Sequence, residues 1–365
     1  TIRNCDFNNS STTTRGGAIN YSSGDVKRAN VVENCRFTSN RAIELGSSIY
    51  LQNKTDFDVI GSSFLNNGAS SNSGRGAICY LGNFDSTQVG TDFRGVFNIL
   101  NSEFIGNLTS EQGGAIYLQN GIGNVYFNVT NSTFDGNFAE PTTTSLGGAM
   151  FIQDGVISTI ENSQFRFNEA GLGGAVFFAA DTTGTAFPRL PDSVTISNSR
   201  FIQNNGLSSG GAVFLNGSSN SIVNNVFAAN ASNSGNGGGA LYIEVDTLLA
   251  SNNFLVNNTF YSNAVFDEDS FGDDVLIAEF GAPSVNLTLQ NNAFISEGVT
   301  GNLEFFNDIT LSTLGGNYYV QEPVEGAAFD EDLDFFDTPD EITALFIDPD
   351  DDEDPEGRDL RLRTE

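Results

Sequence analysis

The sequence contains no histidine and no tryptophan, and it has one methionine, three cysteines and two lysines, Lys27 and Lys54. Without histidine the chain lacks the commonest general acid–base side chain and every histidine-ligated metal site. Ser-His nucleophilic triads are excluded for the same reason. No apolar run is long enough to span a bilayer, and no signal peptide is visible. These absences disfavour most hydrolytic enzymes and direct insertion into a membrane.

Positive charge is also scarce, since 15 Lys and Arg face 46 Asp and Glu and give a net charge of −31. Binding to phosphate backbones needs a cationic surface, so we expect no nucleic-acid partner. Such acidity is typical of a soluble protein in a medium rich in salt or divalent cations. Thr1 opens almost directly on a repeat, which favours a processed or truncated piece of a longer chain.

What the sequence has is a repeat. A phenylalanine recurs with Asn three residues before it, Asn three residues after it, and then Gly-Gly-Ala followed by alternating apolar residues. The anchor phenylalanines are Phe7, Phe37, Phe64, Phe104, Phe134, Phe165, Phe201, Phe227, Phe260 and Phe294. Recurrence of a short unit is typical of a stack of equivalent coils, each burying its apolar face against its neighbours.

The apolar residues in each unit alternate at period two, which predicts strands rather than helices. Three short strands per unit, joined by corners, describe a parallel β-helix with coils about 4.8 Å apart. We expect the Phe column inside the tube. We expect the Asn three residues before Phe at a left-handed corner, bonded to the Asn of the next coil. Glycines supply the other tight corner.

The predicted fold is therefore all-β: a right-handed parallel β-helix (β-solenoid) of about ten coils over residues 1–306. Its handedness follows the general rule for parallel crossovers. Residues 307–365 are predicted to form a final irregular coil and an acidic C-terminal extension that caps or links.

The pairing of Gly-Gly-Ala with Phe-x-x-Asn resembles the repeat of the chlamydial polymorphic outer-membrane proteins and of related bacterial secreted β-helix repeat proteins. Phe-x-x-Asn is intact in eight of ten units, and Gly-Gly-Ala is complete at 16–18, 113–115, 147–149, 173–175, 210–212 and 238–240. The resemblance covers about residues 4–306 and implies a secreted or surface-displayed bacterial passenger region, commonly adhesive. The tail from Ala344 to Leu362 resembles the closing segment of such proteins, which implies that the natural chain continues past Glu365.

Two kinds of site remain open from the residues alone. Cys5 and Cys35 share a register in adjacent coils, so either they form a disulfide or each replaces the inward serine of that column. Two acidic clusters are candidates for Ca²⁺, which takes oxygen ligands, or are simply solvated loops. The candidate ligands are Asp348, Asp350, Asp351, Asp352, Asp354, Asp267 and Asp269. No other cofactor is expected.

A stripe of aromatic residues is the predicted contact face. The residue between the two inward apolar residues after Gly-Gly-Ala should point outward, and stacking would align these residues along one face. They are Tyr50, Tyr117, Phe151, Phe177, Phe214 and Tyr242. A long exposed apolar patch usually marks contact with a partner, although aromatic residues also favour strands for their own sake. Residues 82–95 and 179–192 are alternative binding loops.

The function that these observations favour is a non-enzymatic extracellular or cell-surface rod. It would act as an adhesin or as a building block of a filament or surface layer. Its partners would be further copies of itself, other surface proteins or glycans. The alternative is a carbohydrate-active enzyme, a polysaccharide lyase or hydrolase, or a glycan-binding module on the same scaffold. Gly272-Asp273-Asp274 resembles an acidic element of such hydrolases, but its register makes it a degenerate Gly-Gly-Ala, expected as a solvated corner.

Overall fold

The structure is a computed structural model. It describes residues 1–22, 28–52, 55–69, 74–82, 94–119, 124–140, 142–153, 156–179, 193–216, 219–233, 237–246, 251–266, 271–280, 285–296, 301–306, 309–319 and 335–336. In these ranges the chain winds as a parallel β-solenoid in which each of the first nine coils adds one strand to sheets A, B, C and D in turn. We number the coils one to ten by their anchor phenylalanine.

Sheets A and B contain 11 and 12 strands, all parallel. The strands of sheet A are Ile2–Arg3, Arg28–Glu33, Thr55–Ile60, Arg94–Leu100, Asn124–Thr130, Val156–Glu161, Ser193–Ser197, Ser219–Val223, Ser251–Val256, Val285–Gln290 and Thr310–Thr313. The strands of sheet B are Asp6–Asn8, Arg36–Thr38, Ser63–Leu65, Glu103–Ile105, Thr133–Asp135, Gln164–Arg166, Arg200–Ile202, Val226–Ala228, Thr259–Tyr261, Ala293–Ile295, Tyr318–Tyr319 and Phe335–Phe336.

Sheets C and D contain nine and ten strands. The strands of sheet C are Ser11–Thr12, Arg41–Ala42, Gly68–Ala69, Leu108–Thr109, Phe138–Ala139, Glu169–Leu172, Asn205–Ser209, Ala231–Ser232 and Ala264–Val265. The strands of sheet D are Ile19–Ser22, Ile49–Gln52, Ile78–Leu81, Ile116–Gln119, Met150–Gln153, Val176–Ala179, Val213–Asn216, Leu241–Asp246, Val275–Phe280 and Leu303–Phe306. A coil therefore has four strands and not the three expected, because the short polar stretch after Phe-x-x-Asn pairs between coils as sheet C.

The anchor phenylalanines form one continuous interior column, as the repeat predicts. Successive rings from Phe7 to Phe294 lie 4.6–5.0 Å apart between centroids and are inclined by only 3–9°. Tyr319 extends the column beyond the tenth coil at 5.0 Å from Phe294. Columns of aliphatic and aromatic residues from sheets A and D pack with the phenylalanines in one buried apolar core.

The corner between sheets A and B confirms the left-handed backbone expected three residues before each phenylalanine. Nine coils place Asn there with φ between 50° and 57°, and the one exception is Gly61 at φ 54°. Asparagine tolerates this conformation better than other residues with a side chain, and glycine tolerates it without strain. The repeat therefore conserves a backbone angle, which explains why Gly61 can stand where every other coil has Asn.

The second corner depends on the Gly pair before sheet D. At Gly147 φ is +63°, and a Cβ on the following Gly148 would lie 2.2 Å from the carbonyl oxygen of Gly174 in the next coil. The first glycine supplies a left-handed turn, and the second permits close approach between coils. Each of the two adjacent positions requires glycine for its own reason, and this explains why the Gly pair recurs along the chain.

A buried ladder of asparagines lies three residues after eight of the ten anchor phenylalanines. Asn137, for example, donates from Nδ2 to Oδ1 of Asn168 at 3.0 Å and to the Phe104 carbonyl at 2.9 Å. Its Oδ1 accepts from the main-chain N and from Nδ2 of Asn107 at 3.1 and 2.9 Å. The ladder consists of Asn40, Asn67, Asn107, Asn137, Asn168, Asn204, Asn230 and Asn263. At the position three residues before phenylalanine, where such bonding was expected, Asn224 donates to Asn198. A second buried ladder lies two residues before the aromatic ring and consists of Asn225, Asn258, Asn292 and Asn317.

One inward position of sheet A carries a small polar residue among apolar neighbours. Ser158 lies in an inward column of sheet A between its neighbours Phe127 and Val194, is buried, and its Oγ has no hydrogen-bond partner. Replacement by valine should raise the free energy of unfolding by about 1–2 kcal/mol, because an unpaired hydroxyl is removed and apolar volume is added. Urea unfolding measures the change. Thr159→Val on the outer face of the same strand is the control and should change stability by less than about 0.5 kcal/mol. Destabilisation by Ser158→Val would contradict this description of the site.

Candidate functional site

The aromatic stripe forms the predicted ladder, but it is not exposed. Tyr50, Cys79 and Tyr117 are register partners in successive strands of sheet D, followed by Phe151, Phe177, Phe214 and Tyr242. The rings from Tyr117 to Tyr242 stack 4.6–5.7 Å apart. Each of the six aromatic side chains is only 0–6% exposed, so the expectation of an exposed contact face is wrong.

A column of residues just before the Gly pair covers these rings. Arg15, Leu45, Arg75, Gln112, Leu146 and Leu172 are bridged in sequence from coil to coil. Leu45, Leu146 and Leu172 pack against the rings in a second, smaller apolar cluster. The left-handed turn at the first glycine folds this column back over the outer face of sheet D. Alternation at period two correctly assigned the rings to the outer face but could not show that the chain covers that face.

Two arginines complete the cover near the N-terminal coils. The Arg15 guanidinium lies 5.2 Å from the centroid of Tyr50 and donates to its Oη at 3.0 Å. Arg75 has the same relation to Tyr117, at 4.9 and 3.1 Å. A cation over an aromatic face is attracted by the quadrupole of the ring. These contacts are structural, and they use two of the few cations of the chain.

The three cysteines are free thiols in the structure. The Sγ atoms of Cys5 and Cys35 donate to the carbonyls of Arg3 and Glu33 at 3.1 and 3.3 Å, as the serines of the same column do at equivalent positions. The structure thus shows the second of the two alternatives, in which Cys replaces the inward serine. Burial raises the pKa of Cys35, and it strongly raises that of Cys79, so neither buried thiol is activated as a nucleophile.

The candidate calcium ligands lie outside the described residues. This holds for Asp348, Asp350, Asp351, Asp352 and Asp354 and for the pair Asp267 and Asp269. Within the described ranges, no group of three or more His, Cys, Asp or Glu side chains is arranged to hold a metal ion. Calcium binding by these two clusters stays a prediction.

Asp273 and Asp274 correct another expectation. They occupy the second and third positions of the degenerate Gly-Gly-Ala of coil nine, where we expected a solvated corner, yet both are fully buried. Asp274 Oδ1 accepts from Asn263 Nδ2 at 2.9 Å and from the Ser296 hydroxyl, and its Oδ2 accepts from Asn302 Nδ2 at 3.0 Å. The positions are inward because the Ala of Gly-Gly-Ala is part of the core in other coils, such as Ala149 and Ala175.

The surface presents a different apolar group, which the repeat pattern did not indicate. Leu108 and Phe138 are register partners on the outer face of sheet C, 48% exposed and half-buried respectively. Phe167, one coil further and two residues before the sheet C strand, is 51% exposed. The corner positions equivalent to Phe167 in the two preceding coils are Gly106 and Gly136, which have no side chain that could cover Leu108 or Phe138. We call Leu108, Phe138 and Phe167 the corner patch.

Phe167 is also conformationally unusual. Its φ is 53°, whereas the same corner in other coils is occupied by Asn, Ser, Gly, Gln or Ala. A bulky side chain in the left-handed region costs about 1 kcal/mol or more. A signal for it was present in the sequence, because Phe165-Arg166-Phe167-Asn168 places a second aromatic where other coils have small or polar residues. Stability does not account for an exposed, strained phenylalanine.

Comparison with known proteins finds one segment of the repeat that matches a family model. Residues 101–119 match the family model of the Chlamydia polymorphic membrane protein repeat. The matched segment contains Phe104, the ladder residue Asn107, the corner at Gly113 and Gly114, and the sheet D strand Ile116–Gln119. No curated protein and no solved structure matches the chain. Within the described ranges, no helix has both the length and the apolarity that crossing a bilayer requires.

Proposed function

We propose that this chain is a non-enzymatic β-solenoid rod of the cell surface or extracellular space, and that it acts as an adhesin. The observation that carries the proposal is Phe167, an exposed aromatic residue held in an unfavourable conformation in the coil next to that of Phe138, whose register partner is Leu108. Apolar side chains at the surface gain free energy when a partner covers them. The matched repeat, named for a polymorphic membrane protein, supports a location at the cell surface.

The lack of histidine and the burial of Asp274 support the non-enzymatic part. The sequence has no histidine, and Asp274, a carboxyl whose pKa burial raises to about 7, is fully buried in the interior. Perturbed groups of an active site are normally found in a cleft. Incubation with anionic polysaccharides, with and without Ca²⁺, should therefore give no products by chromatography. Turnover of any of them would overturn this part of the proposal.

Replacing Phe167 with asparagine tests the adhesive part. We expect the variant to be more stable by about 0.5–1 kcal/mol, because asparagine tolerates φ of 53°, and to lose at least about tenfold in attachment of protein-coated beads to cells. Stability is read from urea unfolding and attachment from bead counts under flow.

Gln203→Asn is the matched control. Gln203 is exposed at the same corner in the next coil with the same φ of 53°, so its replacement should leave attachment unchanged. Sedimentation of both variants and of the parent separates self-association from binding to cells. Attachment of Phe167→Asn at the parental level would remove the corner patch from the account.

A further inference from the structure

Asp274 stands at the end of the asparagine ladder. Along the ladder each Asn Nδ2 donates to Oδ1 of the next coil, ending with Asn230 donating to Asn263 at 2.9 Å. Asn263 then donates from Nδ2 to Asp274 Oδ1 at 2.9 Å, and from its main-chain N to the Ser296 Oγ at 2.8 Å. The terminal acceptor of a run of aligned amides is therefore a carboxyl group, where the partial positive charge of the aligned dipoles is directed.

The same carboxyl joins coil nine to coil ten. Asn263 belongs to coil nine, whereas Ser296 and Asn302 belong to coil ten, and all three donate to Asp274. A main-chain hydrogen bond joins the same two coils, since Asp274 N donates to the Asn302 carbonyl at 3.1 Å. Whatever alters the charge of this carboxyl acts directly on the contact between the two coils.

Among the described residues, the charged group that acts on Asp274 is acidic. Between Arg200 and Arg358 the sequence contains no Lys, Arg or His. The charged groups around it are acidic: Asp273 on its own element, which accepts from Val265 N at 3.1 Å, and Glu304 from coil ten, which acts on Asp273 and accepts from Gly301 N at 2.9 Å. Burial, reinforced by Asp273 and opposed by the three hydrogen bonds, raises the pKa of Asp274 to about 7.

We propose that Asp274 is a proton-operated latch between coils nine and ten, which holds the C-terminal coil tightly when it is protonated and loosens it when it ionises. The protonated carboxylic acid can still accept the three hydrogen bonds that the carboxylate accepts. Its carbonyl oxygen has two lone pairs for Asn263 and Ser296, and its hydroxyl oxygen has one for Asn302. Protonation thus removes the buried charge without removing an acceptor. Because a solenoid opens coil by coil, the effect is local to this end of the rod.

The direction of the pH dependence follows from the two states of the acid. In the opened coil Asp274 has its ordinary pKa near 3.8, and in the closed coil it has a pKa of about 7. Between these values the closed state holds a proton that the opened state has lost. Opening therefore becomes easier as pH rises, by up to about tenfold per pH unit, and levels off above about pH 7.

Native-state hydrogen exchange followed by mass spectrometry measures this opening. After correction for intrinsic exchange rates, protection of the coil-ten strands Ala293–Ile295 and Leu303–Phe306 should fall by about 50-fold between pH 5 and pH 7. Asp274→Asn should abolish most of this dependence, leaving less than about threefold. Glu103→Gln, which removes an exposed acid in coil four, should retain the parental dependence.

Ser296→Ala keeps the test decisive if Asp274→Asn does not fold. It removes one donor to the carboxylate, so the acid is harder to ionise and the levelling-off should move to higher pH. Protection of coil ten that is constant or rises with pH in the parent would overturn the proposal. The proposal would also be overturned if protection of coil ten in Asp274→Asn depended on pH as it does in the parent. A pH of levelling-off that is the same in Ser296→Ala as in the parent would overturn it too.

Discussion

Replacement of Asn137 by alanine is expected to lower the free energy of unfolding by about 4 kcal/mol. Four side-chain hydrogen bonds of 2.9–3.1 Å are lost, and they connect three consecutive coils. The main-chain N–H and the amide of Asn107 are left buried without their acceptor, and each such group costs about 1–3 kcal/mol. The remaining ladder is interrupted, so its bonds also lose the support of aligned neighbours.

Asn128→Ala is the matched control for this change. Asn128 is half-buried on the outer face of sheet A and donates one side-chain hydrogen bond to the neighbouring coil, from its Nδ2 to Asn98 Oδ1 at 2.8 Å. Water replaces that bond when it is removed, so the loss should be below about 1 kcal/mol. Urea unfolding followed by circular dichroism compares the two variants. Equal losses would mean that the buried ladder is not a principal source of cohesion between coils.

Replacement of Phe134 by alanine should cost about 3–5 kcal/mol. The ring is fully buried, with the rings of Phe104 and Phe165 4.8 and 4.9 Å away on either side. Each coil contacts only its neighbours, so the backbone cannot close the gap without displacing the register of four sheets. We also expect the unfolding transition to broaden, because the N-terminal and C-terminal coils lose cooperativity across the defect.

Phe254→Ala controls for the loss of a phenylalanine as such. Phe254 is an exposed residue on the outer face of sheet A, and its removal should cost less than about 1 kcal/mol. Thermal and urea unfolding of both variants supply the comparison. A loss below about 1.5 kcal/mol for Phe134→Ala would show that the phenylalanine column does not carry the packing of the core.

Much of the fold could be predicted from the repeat, because the same residue recurs wherever each coil needs a given backbone angle or a given contact with the equivalent residue of the next coil. The stacking of Phe104, Phe134 and Phe165 and the left-handed corner at Asn131 follow from registers that recur in every unit. Sheet C was missed because each of its early strands has only two residues, such as Leu108–Thr109, too few to show an alternating pattern.

The surface was harder to predict than the interior. The side of sheet D that Phe177 faces follows from alternation, but its burial depends on the path of Leu146 and Leu172, which a local pattern does not contain. Asp274 was misjudged for a related reason, since a charged residue at a corner suggests solvent, while the core position of the repeat dictates burial. Phe167 departs from the repeat, and such departures are where function is expected when the rest is structural.

The interior column of rings fixes the register of the coils, and a high-resolution crystal structure of the chain is the measurement that tests it. We expect the rings of Phe104, Phe134 and Phe165 in one stack with centroids 4.8 and 4.9 Å apart, and the amides of Asn107, Asn137 and Asn168 bonded in series beside them. Electron density that places any of these three rings on the outside of the tube would contradict the coil register and, with it, the positions assigned to the corner patch and to Asp274.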